Sequence, residues 1–446
     1  MHYATETSYL AIYDHTPDQE KFPLVRRWME REPLPFFREL REKRPILATP
    51  ACTLVARFSD VTEVLSKPGV FTVSLYKPKM KDFFMAHDDD ALHTREKSIM
   101  YAMLNRDDLP FVRKMVADIA RGILDAAGGK IEAVNSYCRM VPVTLVQEYF
   151  GLKGVERKDL IDWSYWNQYD AFHNQPFSGV SDEMRRHISE RHSAADTRLA
   201  EYLTGLIAIR LAEVKGEQAR NFLLFPLVLL KKLFRWILGR KPERLTDDIV
   251  TRMLRSTYPQ AVDFDIKRLG LNAGGLLIGA VETTSQAATQ VIAYLLEHRE
   301  WLEKAISASR NQDIDAFDGI VWEALRFVPI APFLFRQAAC DYTLCPGTKY
   351  ATSIKAGTIV LALTQSAMFD GASFENPDDF VPERDWYQYF HLGFGTHECL
   401  GKHVAMVLIP ETVRQILIRP GIAALGPIDY KSGPFPEHYE LSWRVS

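Results

Sequence analysis

The chain has 446 residues, of which 47% are hydrophobic and 25% charged, enough for a large buried core and, on length alone, for two or three domains. A net charge of -3 and 54 basic residues spread along the sequence offer no patch for a nucleic-acid partner. Five cysteines, at 52, 138, 340, 345 and 399, form no zinc or redox pair, and the polar residues 2–20 contain no apolar targeting segment, so the expectation is a cytoplasmic protein in a reducing compartment.

In chain order, apolar residues at helical spacing predict a helix over residues 34–43. Alternation over 46–58 predicts strands, and Asp60 opens a helix running to Leu65. Residues 71–85 read as a loop with Lys77, Lys79 and Lys81 among Tyr76, Pro78, Met80, Phe83 and Phe84. These are either ordinary solvated lysines or contacts for a carboxylate-bearing ligand. A helix then carries His93 and Lys97 to about Met103, and their i, i+4 spacing puts both on one face. Taken alone, such a pair is more often surface decoration. The pattern over 109–212 is helical, with breaks at 128–130, 151–154 and 174–180.

Residues 222–238, FLLFPLVLLKKLFRWIL, have Pro226 near their start and Gly239 and Pro242 beyond their end, which are helix boundary signals. The stretch is too short and too basic to span a bilayer. As a helix it places Lys231, Lys232 and Arg235 on one side and Leu229, Leu230, Leu233, Phe234 and Ile237 largely on the other. It therefore packs on its own domain or on a second copy, or lies in a membrane interface.

Residues 265–299 form one long helical pattern containing Gly279-Ala280-Val281-Glu282-Thr283-Thr284. An acid and two hydroxyls inside an apolar helix are costly to bury without a purpose. The plainer alternative is that Thr283 bonds back to the carbonyl four residues earlier and bends the helix. Glu323 and Arg326 follow at i, i+3, then Pro329, Pro332 and Arg336, strands over 350–363, and Phe380-Val-Pro382-Glu-Arg384. Next comes LGFGTHECLG, residues 392–401. Its Cys399 lies among Gly393, Gly395 and Gly401, two residues after His397, and an apolar helix-compatible run follows over 404–409. Glycines let the backbone approach a flat ligand, and helix N–H groups aimed at the sulfur favour a metal-binding thiolate. Pro410 predicts a kink in that helix, and residues 430–445 read as a closing hairpin.

These motifs, in this order from about residue 34 onward, resemble the cytochrome P450 family. Gly393, Gly395, His397, Cys399 and Gly401 fall on the spacing of that family's haem-binding loop. Leu392 stands where an aromatic is usual, and Met406 and Leu408 replace a common Arg and Glu. Gly279 to Thr284 is similar to its oxygen-activation motif, with Ala280 for the second glycine and Glu282 for the acid.

The resemblance implies a mainly α fold with small β-sheets, a single haem-thiolate domain over 1–446, and an amphipathic insertion at 220–241. It implies haem b, with Cys399 on the iron and His93, Lys97, Arg336 and His397 around the propionates. Gly279 and Ala280 would leave room for O2, Glu282 and Thr283 would relay a proton, and Ile278, Gly279 and residues 330–334 would line the pocket. Glu323, Arg326 and Arg384 would brace the cysteine loop.

The implied reaction inserts one oxygen atom of O2 into an apolar organic substrate, with or without a carboxylate. Electrons would come from a separate ferredoxin or flavodoxin, since the chain has no dinucleotide fingerprint or P-loop. Two alternatives are a peroxide-driven peroxygenase and a non-catalytic haem gas sensor, and the Glu282 and Thr283 pair counts against both. Residues 222–238 leave open a peripheral membrane contact or a dimer.

Overall fold

A computed structural model describes residues 8–223, 247–256 and 262–445. Helices dominate, and several form where apolar residues recur at three and four. Pro33–Lys43, with proline at its first position, fully buries Phe36, Phe37 and Leu40. Phe58–Ser66 does the same with Val61 and Val64. The 109–212 pattern becomes helices Leu109–Ala126, Met140–Leu145, Arg157–Gln168 and Asp182–Leu223, with π-helical turns Val134–Cys138, Val146–Phe150 and Tyr169–His173 between them. The expected breaks fall between these elements.

The central helix, Ile266–Glu297, starts where Asp265 accepts a hydrogen bond from the Arg268 amide at 2.8 Å. It runs through the core, with Val281, Ala287, Ala288, Val291 and Ile292 wholly buried. Arg157–Gln168 and Asp182–Leu223 pack on it from one side and the cysteine helix, Lys402–Leu417, from another. The cysteine helix runs on past Pro410, whose ring is buried.

The sheets are small. Strands β1 (Ile46–Ala48), β2 (Thr53–Val55), β3 (Phe71–Thr72), β5 (Leu334–Ala338) and β8 (Ile359–Ala362) form one sheet in the order β1-β2-β8-β5-β3. Only β2 and β8 are parallel within it, and Arg336 of β5 stands opposite Val360. β4 (Lys130–Glu132), β9 (Ala423–Ala424) and β10 (Glu440–Ser442) form a second sheet, and β6 (Tyr342–Leu344) and β7 (Thr352–Ile354) a third.

Two expectations need revision. Residues 71–85 are not a plain loop, because β3 pairs with β5 and helical turns Ser74–Tyr76, Lys77–Met80 and Phe84–Ala86 follow. Buried Phe71, Tyr76 and Phe84 anchor the segment. Its lysines all meet protein carboxylates: Lys79 with buried Asp170 at 2.9 Å, Lys81 with Asp196, and Lys77 with Asp88 at 3.8 Å. The closing hairpin forms but starts before residue 430, because β9 pairs antiparallel with β10 and an antiparallel bridge joins Asp429 to His438 between them. Within 430–445 there is a strand, β10, whose partners are β9 and the distant β4, where Leu441 faces Ile131 and both are buried. All but the first two residues of the amphipathic stretch 222–238 lie outside the described residues. Among the described residues no helix is long and apolar enough to cross a membrane.

Candidate active site

The cysteine loop is a tight structure that its glycines permit. Gly393 and Gly395 have φ of 76° and 68°. A Cβ on Gly395 would lie 3.0 Å from the Leu65 carbonyl oxygen, so the loop presses on the end of helix Phe58–Ser66. The Cys399 amide donates to the Leu392 carbonyl at 2.8 Å and the Glu398 amide to that of Gly395 at 3.0 Å. Burial pushes the Cys399 thiol above its usual value, with Glu398 adding to the effect. The Gly401 amide, Lys97 and Lys402 pull the other way. A metal cation at the sulfur would tip that balance to the thiolate outright.

Around this loop stand groups with unused hydrogen-bonding capacity. His93 is fixed at the start of helix Ala91–Met103, where Asp90 caps its amide at 2.8 Å. Its ring lies 4.8 Å from that of His397, centroid to centroid. All four ring nitrogens are buried without a hydrogen-bond partner. Burial, Arg336, His93 and Lys97 hold His397 down at about 3, and burial and Lys97 lower His93, so both imidazoles are neutral. Arg336 is 4% exposed; its Nη1 donates to the Phe335 carbonyl at 2.8 Å, and no carboxylate pairs with it among the described residues. A buried guanidinium and two imidazoles without acceptors fit the carboxylates of an anionic cofactor. Lys97 differs, because its Nζ donates to the carbonyls of Thr396 at 2.5 Å and Glu398 at 2.8 Å.

On the central helix, a Cβ built on Gly279 would meet nothing within 4 Å, so an open groove lies beside the backbone in the middle of a core helix. Ala280 and Thr283 are partly exposed there. The Thr283 hydroxyl donates back to the Gly279 carbonyl at 2.6 Å. One turn earlier, Gln168 donates to the Ile278 carbonyl at 2.7 Å. Glu282 faces another way. It is 1% exposed and paired with Arg139, at 2.9 Å from Nε and 3.0 Å from Nη2, while Arg139 reaches Glu437 at 3.2 Å. Burial raises the Glu282 carboxyl against the pull of Arg139.

Behind the loop, Glu323 and Arg326 of helix Ile314–Phe327 are both fully buried, with N–O contacts of 2.6 and 3.0 Å. Arg326 also donates to the carbonyls of Met368, Pro377 and Asp379. Arg384 Nε reaches Glu323 at 3.3 Å, and the Tyr389 hydroxyl donates to it at 2.7 Å. The carboxylate is thereby saturated, as burial of a charge requires. Arg139, Glu437, Gln168 and Tyr389 belong to no motif in the sequence and were missed. Their partners lie far along the chain, Arg139 being 143 residues from Glu282.

A loop-borne cysteine beside buried imidazoles and a guanidinium, with an open groove on a core helix, fits a cofactor-binding protein. The family model described as Cytochrome P450 matches residues 135–418, and the chain belongs to the cytochrome P450 family. It is 22% identical to the steroid C26-monooxygenase of Mycolicibacterium smegmatis over 79% of this chain and 77% of that protein. To the mycinamicin IV hydroxylase/epoxidase of Micromonospora griseorubida it is 25% identical, over 83% of this chain and 82% of that one. Among solved structures, cytochrome P450 CYP109Q5 of Chondromyces apiculatus superposes with a TM-score of 0.70 at 19% identity, covering 94% of this chain and 97% of that chain. The fold is therefore that of the family, as the motifs implied. Proteins of the family bind haem b, and the chain is an oxidoreductase of the monooxygenase type. An organic substrate, O2 and a redox partner such as a ferredoxin go with that assignment.

Proposed function

We propose that the chain is a single haem-thiolate domain that oxygenates an apolar organic substrate with electrons from a separate ferredoxin or flavodoxin. The observation that supports it most is the pair of buried imidazoles without hydrogen-bond partners, His93 and His397, gathered at the Cys399 loop with buried Arg336, which has no carboxylate partner among the described residues. They would hold the haem propionates, with Cys399 on the iron. When bound, the haem supplies the redox centre at which O2 is activated.

The remaining steps belong to the chain's own residues. Gly279 and Ala280 leave room beside the central helix, and Thr283 offers a hydroxyl at the edge of that groove. Glu282 would deliver protons towards Thr283 after releasing Arg139, and burial, which raises its pKa, favours the protonated form such a donor needs. An acid and alcohol of this kind serve O2 chemistry and have no evident use in a peroxide-driven enzyme or a gas carrier. The apolar substrate class is favoured because Lys77, Lys79 and Lys81 face Asp88, Asp170 and Asp196 and form no ready-made carboxylate site.

Thr283→Ala is expected to keep haem and ligand binding while lowering product formation, up to the roughly 10²–10⁴-fold in rate that positioned proton transfer contributes, with the reducing equivalents diverted into hydrogen peroxide. Glu282→Gln should slow turnover more than it weakens binding. Product and peroxide, measured together on a reconstituted ferredoxin system, test both. Unchanged coupling in both variants would remove the proton relay from this helix, and wild-type turnover with added peroxide alone would favour the peroxygenase.

A further inference from the structure

We propose that Lys97 is a positioning residue for the cysteine loop, clamping the main chain on both sides of His397 and so holding the Cys399 sulfur in place. The proposal rests on the haem-thiolate reading above and goes beyond it, because it takes Lys97 out of the propionate set in which its sequence position puts it.

Hydrogen-bond geometry separates Lys97 from its neighbours. His93, one turn earlier on the same helix face, has both ring nitrogens unsatisfied, as does His397. Lys97 instead directs two of its three N–H groups to the carbonyls of Thr396 and Glu398, residues that bracket His397 just before the cysteine. The loop's own amides go elsewhere: Gly393 to Phe390, Glu398 to Gly395, and Cys399 to Leu392. Lys97 is thus the side chain that ties these two carbonyls down. Such charge-assisted bonds are about twice as strong as neutral ones.

The clamp is mounted on a fixed base. The adjacent residue, Glu96, is wholly buried and pairs with Arg268 of the central helix, at 2.7 Å from Nη2, and with Asn272 at 2.8 Å. Consecutive residues of helix Ala91–Met103 therefore anchor opposite ways, Glu96 to the central helix and Lys97 to the cysteine loop. The Lys97 stem is 9% exposed, and its ammonium lies 5.8 Å from the centre of the Tyr101 ring. The Glu398 carboxylate does not compete for it, since it pairs with Lys402 at 2.6 Å. An ammonium with tetrahedrally arranged donors can hold two carbonyls of one turn at once. A planar guanidinium aims its donors in one plane and is less suited to that task.

The test uses haem-loaded protein. Lys97→Met should retain haem, because His93, Arg336 and His397 keep their donors. Its reduced carbon monoxide complex should pass from the thiolate band to the thiol band on the order of tenfold faster than wild type in mild denaturant, as expected from losing hydrogen bonds to a charged group. Lys97→Gln, with one amide donor, should fall between, and it serves on the same readouts if Lys97→Met does not fold. Hydrogen exchange of the amides over 393–401 should quicken in the same order. Haem loss without faster band conversion or faster exchange would mean that Lys97 serves the propionates alone, and would overturn the proposal. A wild-type protein that never shows the thiolate band would instead sink the haem-thiolate reading itself.

Discussion

Arg326→Leu is expected to destabilise the protein by about 3–5 kcal/mol, a large share of the roughly 5–15 kcal/mol that holds a typical domain together. Both partners of the Glu323 and Arg326 pair are fully buried, so removing the guanidinium takes the bidentate partner from a carboxylate in the core and leaves it the Val381 amide at 2.9 Å and two weaker-placed side chains. Arg384 and Tyr389 remain on Glu323 but cannot replace a bidentate contact. Three carbonyls, of Met368, Pro377 and Asp379, also lose their donor. Those carbonyls lie in the segment leading to the cysteine loop, so the folded fraction of the variant should hold haem poorly. Urea unfolding followed by circular dichroism measures the loss. Arg326→Lys, which keeps the charge but not the fork, should recover only part of it. A denaturation midpoint unchanged in Arg326→Leu would show that the network does not brace this half of the fold.

Cys399→Ala is expected to abolish the thiolate signature altogether, whereas replacing any of the other four cysteines should leave it intact. The contrast comes from their surroundings. Burial pushes Cys52 and Cys138 up to about 12 and Cys345 up to about 11, and the pull of Arg139 on Cys138 and of Arg57 on Cys345 does not offset it, so these thiols stay protonated. Cys340 is exposed on the surface. Only Cys399 combines the Gly401 amide, Lys97 and Lys402 with the unpartnered imidazoles of His93 and His397 and with buried Arg336 nearby. The five single variants, compared by absorption of the reduced carbon monoxide complex, separate these cases. Loss of the band in a second cysteine variant that remains folded would assign the ligand wrongly.

The parts legible in the sequence are those in which chemistry and spacing are local. The periodicity of residues 34–43 and 265–299 gave helices close to Pro33–Lys43 and Ile266–Glu297, because one buried stripe dominates each. Glu323 and Arg326 could be paired from i, i+3 spacing, and the glycines around Cys399 marked a tight loop. What escaped was pairing across the chain. Arg139 lies in an ordinary helical pattern, yet it neutralises Glu282, and Tyr389 completes the shell of Glu323 from 66 residues away. The β4 and β10 strands have three residues each, too few for alternation to register, and they are joined by a contact between Ile131 and Leu441. Lys97 was legible as a cation on the right face. Its use of two loop carbonyls was not, because that depends on where the loop main chain passes.

The most direct test of the central claim is the absorption spectrum of the purified wild-type protein, reduced and exposed to carbon monoxide. The account predicts a red protein with about one haem per chain and the red-shifted band of a thiolate ligand, absent from Cys399→Ala. A folded protein that takes up no haem, or one whose band survives in Cys399→Ala, would contradict it.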